Sequence, residues 1–140
     1  TTLGPVVYMP DVADPRSRAS VLVHEAQHVA QFFGRTNTKL PGNLGLWWLY
    51  VSEPEARARC EAEAELARIE FDYFTLGVVP DLDSVIGNFS HNYSLRQEHA
   101  SLIRDLLEVG ITRITGLGTA TVAGNYAYEF LANNKMLKAV

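Results

Sequence analysis

Two histidines stand four residues apart in the run His24-Glu25-Ala26-Gln27-His28, and that spacing is chemically useful only on a helix. Residues i and i+4 lie one above the other on a helical face, so both imidazoles can reach one metal ion. The flanking sequence encodes such a helix. Asp14-Pro15 offers an N-cap followed by proline at the first helical position, and Leu22, Ala26, Val29 and Phe33 recur at helical spacing before the stop at Gly34. This predicts a helix over about 15 to 33. It carries the histidines on one face and, out of phase with them, an apolar stripe expected to pack on the core.

The rest of the chain reads as one domain over residues 1–140, helical for the most part. At 140 residues it is long enough for one real core and too short for two. Val6, Val7 and Tyr8 lie between Gly4-Pro5 and Pro10-Asp11 and read as a short edge strand. Thr36 to Gly45 reads as a loop, and the aromatic run Leu46-Trp47-Trp48-Leu49-Tyr50 as a buried segment. Ser52-Glu53-Pro54-Glu55 has the form of a capping box opening a second helix over about 53 to 76, with Gly77 as its stop. Residues 78 to 89 suggest a connection with one helical turn after Pro80-Asp81. Leu95, His99, Leu102, Ile103 and Leu106 mark a third helix ending before Gly110, and a last helix is expected from about Tyr126 to Lys138.

Charge and composition narrow the function classes. A net charge of -4 without a recurring Lys/Arg cluster argues against nucleic acid and anionic membrane surfaces as partners. No run of about 18 apolar residues is present, so no membrane span is expected. The single cysteine, Cys60, reads as a small buried residue. Because the sequence starts at Thr1 and not at a methionine, the expected unit is a domain excised from a longer protein, with its compartment left open.

Zinc held by two histidines needs a third protein ligand and one position open to water. Glu25, beside His24, can then take a proton from that water and pass it to a leaving nitrogen. A nearby third histidine is excluded, since the positions three and six after His28 hold Gln31 and Gly34. An upstream cysteine ligand is excluded because none precedes His24. That leaves a carboxylate on another helix, and Glu53 and Glu55 stand at the start of the second one.

On these residues, His24 to His28 with Gln31 and then Glu53-Pro54-Glu55-Ala56-Arg57, the chain resembles the gluzincin metallopeptidases, including the short zincin domains of bacterial secreted and phage-encoded proteins. The resemblance covers about the first 65 residues and implies a mainly α, α+β zincin-like fold: a motif helix and a ligand helix beside a short edge strand or small sheet. It also implies His24, His28 and Glu53 as zinc ligands. Arg57 stands where those families often place an aspartate that bonds a ligand. Glu55 is the alternate ligand, but it points about 200° away from Glu53 around the helix axis and suits the capping box.

Further candidates are weaker. Tyr50, His91 and Tyr93 are possible donors to an oxyanion, although each also has an ordinary reading as a packing or loop residue. His99 falls on an apolar stripe and reads as a satisfied core histidine. Glu61, Glu63, Glu65 and Glu70 read as a solvated face partnered by Arg57, Arg59 and Arg68. The strand at Val6 to Tyr8, if it lies beside the motif helix, would align an extended peptide. The expectation is therefore a zinc metallopeptidase acting on peptides or proteins. Its alternatives are a zinc amidase acting on a non-protein or cell-wall substrate and a non-catalytic metal-binding scaffold domain.

Overall fold

One long helix organises the domain. The computed structural model describes residues 2–3, 6–7, 14–34, 43–92 and 98–137. Two short strands, β1 (Thr2–Leu3) and β2 (Val6–Val7), precede the helices α1 (Pro15–Phe32), α2 (Asn43–Ser52), α3 (Pro54–Leu76), α4 (Leu82–Asn92), α5 (Glu98–Leu117) and α6 (Val122–Asn133). α3 packs against α1, α2, α5 and α6, while α4 packs on α5.

The local signals explain most boundaries. Asp14 caps α1 by accepting from the Ser17 backbone N–H at 2.7 Å, with proline in the first turn. α3 stops at Gly77, whose φ of 73° is left-handed and whose N–H returns to the Tyr73 carbonyl. Asp81 accepts from Ser84 N–H at 3.0 Å and starts an 11-residue helix where a single turn was expected. α5 runs through Gly110 instead of ending before it. A Cβ there would collide with the Leu66 side chain, so this glycine, which costs a helix about 1 kcal/mol, permits close packing of α5 on α3. The last helix spans residues 122 to 133, shifted toward the N-terminus from its expected position.

The apolar core lies among α3, α4, α5 and α6. Ile69, Phe74, Ile103 and Leu107 are fully buried at its centre, each side chain contributing about 1.5–3 kcal/mol relative to exposure. Among the described residues, neither α1 nor α2 supplies a residue to this cluster. α1 is turned the other way from expectation. Its buried residues are Ser20, His24, Glu25, Gln27 and Gln31, while Leu22 and Phe33 are exposed. The stripe Leu22, Ala26, Val29 and Phe33 lines an apolar groove of about 740 Å³ together with Val122, Ala123 and Tyr126 of α6.

Three other expectations are corrected. The fold is helical, not an α+β zincin-like arrangement with a sheet. Its extended pairing among the described residues is Thr2 with Val7 and Leu3 with Val6, two residues a strand. Val6 and Val7 therefore form half of a tiny hairpin instead of the edge of a sheet, and Tyr8 lies outside the described residues. The capping box at Ser52 does not form: the Ser52 hydroxyl donates back to the Trp48 carbonyl at 2.8 Å, and the N-cap of α3 is Glu53 with no side-chain bond. In the aromatic run, Leu46 is buried but Trp47 and Trp48 are exposed.

Candidate metal centre

α1 and α3 lie antiparallel along a polar seam. Contacts run from Arg16 with Thr75 at 3.4 Å, through Ser20 with Asp72 at 3.3 Å, to Gln31 with the Cys60 carbonyl at 2.9 Å. Opposite His24 and His28 this register places Glu61 and Glu65, also four residues apart. Two pairs at i,i+4 spacing thus face each other.

His24 Nε2 lies 3.6 Å and His28 Nε2 3.5 Å from the same oxygen, Oε2 of Glu61. The three atoms fall within 4.8 Å of one another. Glu61 is 2 % exposed, and its Oε2 has no hydrogen-bond partner among the described residues. An orphaned buried carboxylate oxygen normally carries a cost of at least about 1–3 kcal/mol. The separations are too long for hydrogen bonds but match another geometry. Four ligands about 2.0–2.1 Å from a tetrahedral ion lie about 3.3–3.4 Å from one another. The triad could therefore hold a metal ion.

The remaining atoms of these side chains are held from outside. Tyr50, at the end of α2, donates its hydroxyl to Oε1 of Glu61, leaving Oε2 to face the histidines. Arg57 fixes that end of α2 by donating to the carbonyls of Tyr50 and Val51, each at 3.0 Å, and its guanidinium lies over the Tyr50 ring. Nδ1 of His24 faces Oε2 of Glu65 at 3.6 Å, and Glu65 is gripped by Arg68, which also reaches Asp72. Nδ1 of His28 lies 2.8 Å from Oε1 of Gln31. Each ring thus has Nδ1 toward an acceptor and Nε2 toward the shared point, as in protein sites where an outer partner orients a metal-binding imidazole.

The electrostatics of the group favour positive charge at this point. Burial alone would lower the pKa of His24, but Glu61 and Glu65 outweigh it and hold the ring at about 9. Burial opposes ionisation of Glu61 and Glu65 as well. The neighbouring His24 and His28 rings and the Tyr50 hydroxyl nevertheless take Glu61 far below the usual carboxylate range, and His24 with Arg68 brings Glu65 to about 2. A proton on His24 and a metal ion would compete for this place.

The carboxylate that completes the group is Glu61, not Glu53 or Glu55. Glu53 is exposed at the α2–α3 junction, and Glu55 is exposed and paired with Arg59 at 2.8 Å. Glu25 is buried on α1 next to His24. Tyr50 is at the site, though as the residue that holds Glu61. His91 belongs to the last turn of α4, a helix whose packing among the described residues is on α5, and Tyr93 lies outside the described residues. His99 on α5 is half-buried, and its Nδ1 has no hydrogen-bond partner among the described residues. The Cys60 thiol is pushed up to about 12 by burial and by the charges of Glu63 and Glu61, which leaves it neutral and inert.

Sequence reasoning missed Glu61 and Glu65 because alternating glutamates near arginines look solvated. A signal was present: Ala56, Ala58, Ala62, Ala64 and Ala67 surround them on every side of α3. A helix with small residues all round is built for close packing on every face, and residues 60 to 67 are all buried. Set against protein families, curated proteins and solved structures, the chain matches none.

Proposed function

We propose that this chain is a metal-dependent hydrolase, with zinc as the metal and a peptide or related amide as the substrate. The observation that carries the reading is the convergence of His24 Nε2, His28 Nε2 and Glu61 Oε2 at separations of 3.5 and 3.6 Å, with both Nδ1 atoms turned to acceptors. Two histidines and a carboxylate, with a fourth position for water, form a catalytic zinc ligand set of the gluzincin kind, carried here on two antiparallel helices.

A zinc ion bound there would acidify a water and polarise an amide carbonyl. The chain's own residues supply the proton transfers and the positioning. Glu25 takes the proton of the attacking water on its carboxylate and delivers it to the leaving nitrogen. Tyr50 holds Glu61 in the orientation that leaves Oε2 available, and Glu65 does the same for His24.

The test is cleavage of a peptide library and of cell-wall peptide fragments by the zinc-loaded protein, the chelated protein and Glu25→Gln. Cleavage that chelation abolishes, and that falls about 10²- to 10⁴-fold in Glu25→Gln at unchanged zinc content, is the expected result. Turnover surviving in Glu25→Gln would remove the general base. Zinc binding without turnover on either substrate set would make the domain a metal-binding scaffold.

A further inference from the structure

Gln31 is 1 % exposed and one helical turn beyond His28. Its Nε2 lies 2.9 Å from the backbone carbonyl oxygen of Cys60 and 2.9 Å from Oε2 of Glu63. A carbonyl oxygen can only accept a hydrogen bond. The amide atom beside it must therefore be the NH2 group, and the reversed amide would set oxygen against oxygen at both contacts. With the amide so oriented, Oε1 of Gln31 is the atom 2.8 Å from His28 Nδ1. That oxygen can only accept, so Nδ1 must carry the hydrogen. In the neutral ring Nε2 then holds the lone pair, and Nε2 is the atom that faces Glu61 Oε2.

We propose that Gln31 is a positioning residue that transmits the fixed polarity of the Cys60 carbonyl to the His28 ring, locking it as the Nδ1–H tautomer with Nε2 open toward Glu61. Cys60 immediately precedes Glu61 in α3. The same turn that supplies the carboxylate therefore dictates which nitrogen its partner presents. Free imidazole side chains favour the opposite tautomer, with hydrogen on Nε2, so the lock has work to do. Its value for metal binding rests on the function proposed above, whereas the tautomer itself does not.

Long-range ¹H–¹⁵N spectra of the chelated full chain at alkaline pH, where the rings are neutral, read the tautomer of each histidine. The expected spectrum has His28 as Nδ1–H in the wild type and shifted toward Nε2–H in Gln31→Met, which fills the same space without an acceptor. The His24 signals, whose Nδ1 faces Glu65, should keep their pattern and report that the fold is intact. Zinc affinity of Gln31→Met should fall about 10- to 100-fold. A wild-type His28 found as Nε2–H overturns the proposal without any variant, as does an unchanged tautomer in a folded Gln31→Met. A wild type that shows the expected tautomer yet fails to bind zinc would instead sink the metal reading and leave this assignment standing.

Discussion

Gly124 and Glu70 touch so closely that a side chain at 124 has nowhere to go. Glu70 on α3 accepts from the backbone N–H groups of Ala120 and Thr121 and from the Thr121 hydroxyl, and a Cβ on Gly124 would fall inside its carboxylate. Gln27 of α1 accepts from Ala123 N–H at 2.9 Å, so two buried side chains from different helices hold the start of α6. Gly124→Ala should destabilise the fold by about 1–3 kcal/mol through overpacking, despite alanine's better helix propensity. Urea denaturation would show it, and an unchanged midpoint would mean that Glu70 can move aside.

Glu70 also gives stability a pH dependence. Burial raises its pKa from 4.5 to about 7, against the lowering effect of its hydrogen bonds to Thr121 and Ala120. The folded state therefore binds this proton more tightly than the unfolded chain. The contribution is fully present below about pH 4.5 and is lost as pH rises through about 7. Glu70→Gln, which keeps a carbonyl acceptor, should flatten that part of the profile. The difference between wild-type and variant stabilities across pH 4.5 to 7 isolates it, and parallel profiles would contradict it.

Glu61→Ala should lose metal, while Glu53→Ala and Glu55→Ala retain it. Metal content after dialysis, measured on all three, decides between the carboxylate that the seam brings to the histidines and the two at the head of α3. Loss in Glu55→Ala alone would sink the ligand set.

Proton and metal compete for His24. With the metal-free ring at about 9, zinc uptake at neutral pH should release about one proton from this site, and apparent affinity should rise about tenfold per pH unit until the ring is neutral. Calorimetric titration in buffers of different ionisation enthalpy counts the proton directly. Uptake without release would show that the ion binds elsewhere.

What the sequence disclosed, and what it hid, follow from one asymmetry. His24 and His28 were legible because a fixed spacing on one helix needs no knowledge of its neighbours, and the α3 stop at Gly77 was legible because a left-handed glycine cap is local, whereas the capping box read at its start does not form. The third member of the group, the Glu61 carboxylate, depended on how α1 and α3 register, a long-range fact. The orientation of α1 misled for a related reason. Periodicity finds an apolar stripe at Leu22, Ala26, Val29 and Phe33, but it does not say which face meets the core, and here buried polar partners on α3 claim the other side. The strand was legible at Val6 and Val7, which pair with Leu3 and Thr2, but composition does not say whether a larger sheet is there to join.

Because α1 is attached through carboxylates, amides and imidazoles while the apolar cluster belongs to α3 through α6, the two layers should open separately. Detaching α1 exposes little hydrocarbon, so it is a low-energy opening with a small denaturant sensitivity. Its amides should exchange with solvent ahead of those of Ile103 and Leu107, and an ion bridging α1 to α3 would slow that opening by mass action without touching α5. A metal bound there would make the first helix and the rest of the domain unfold together.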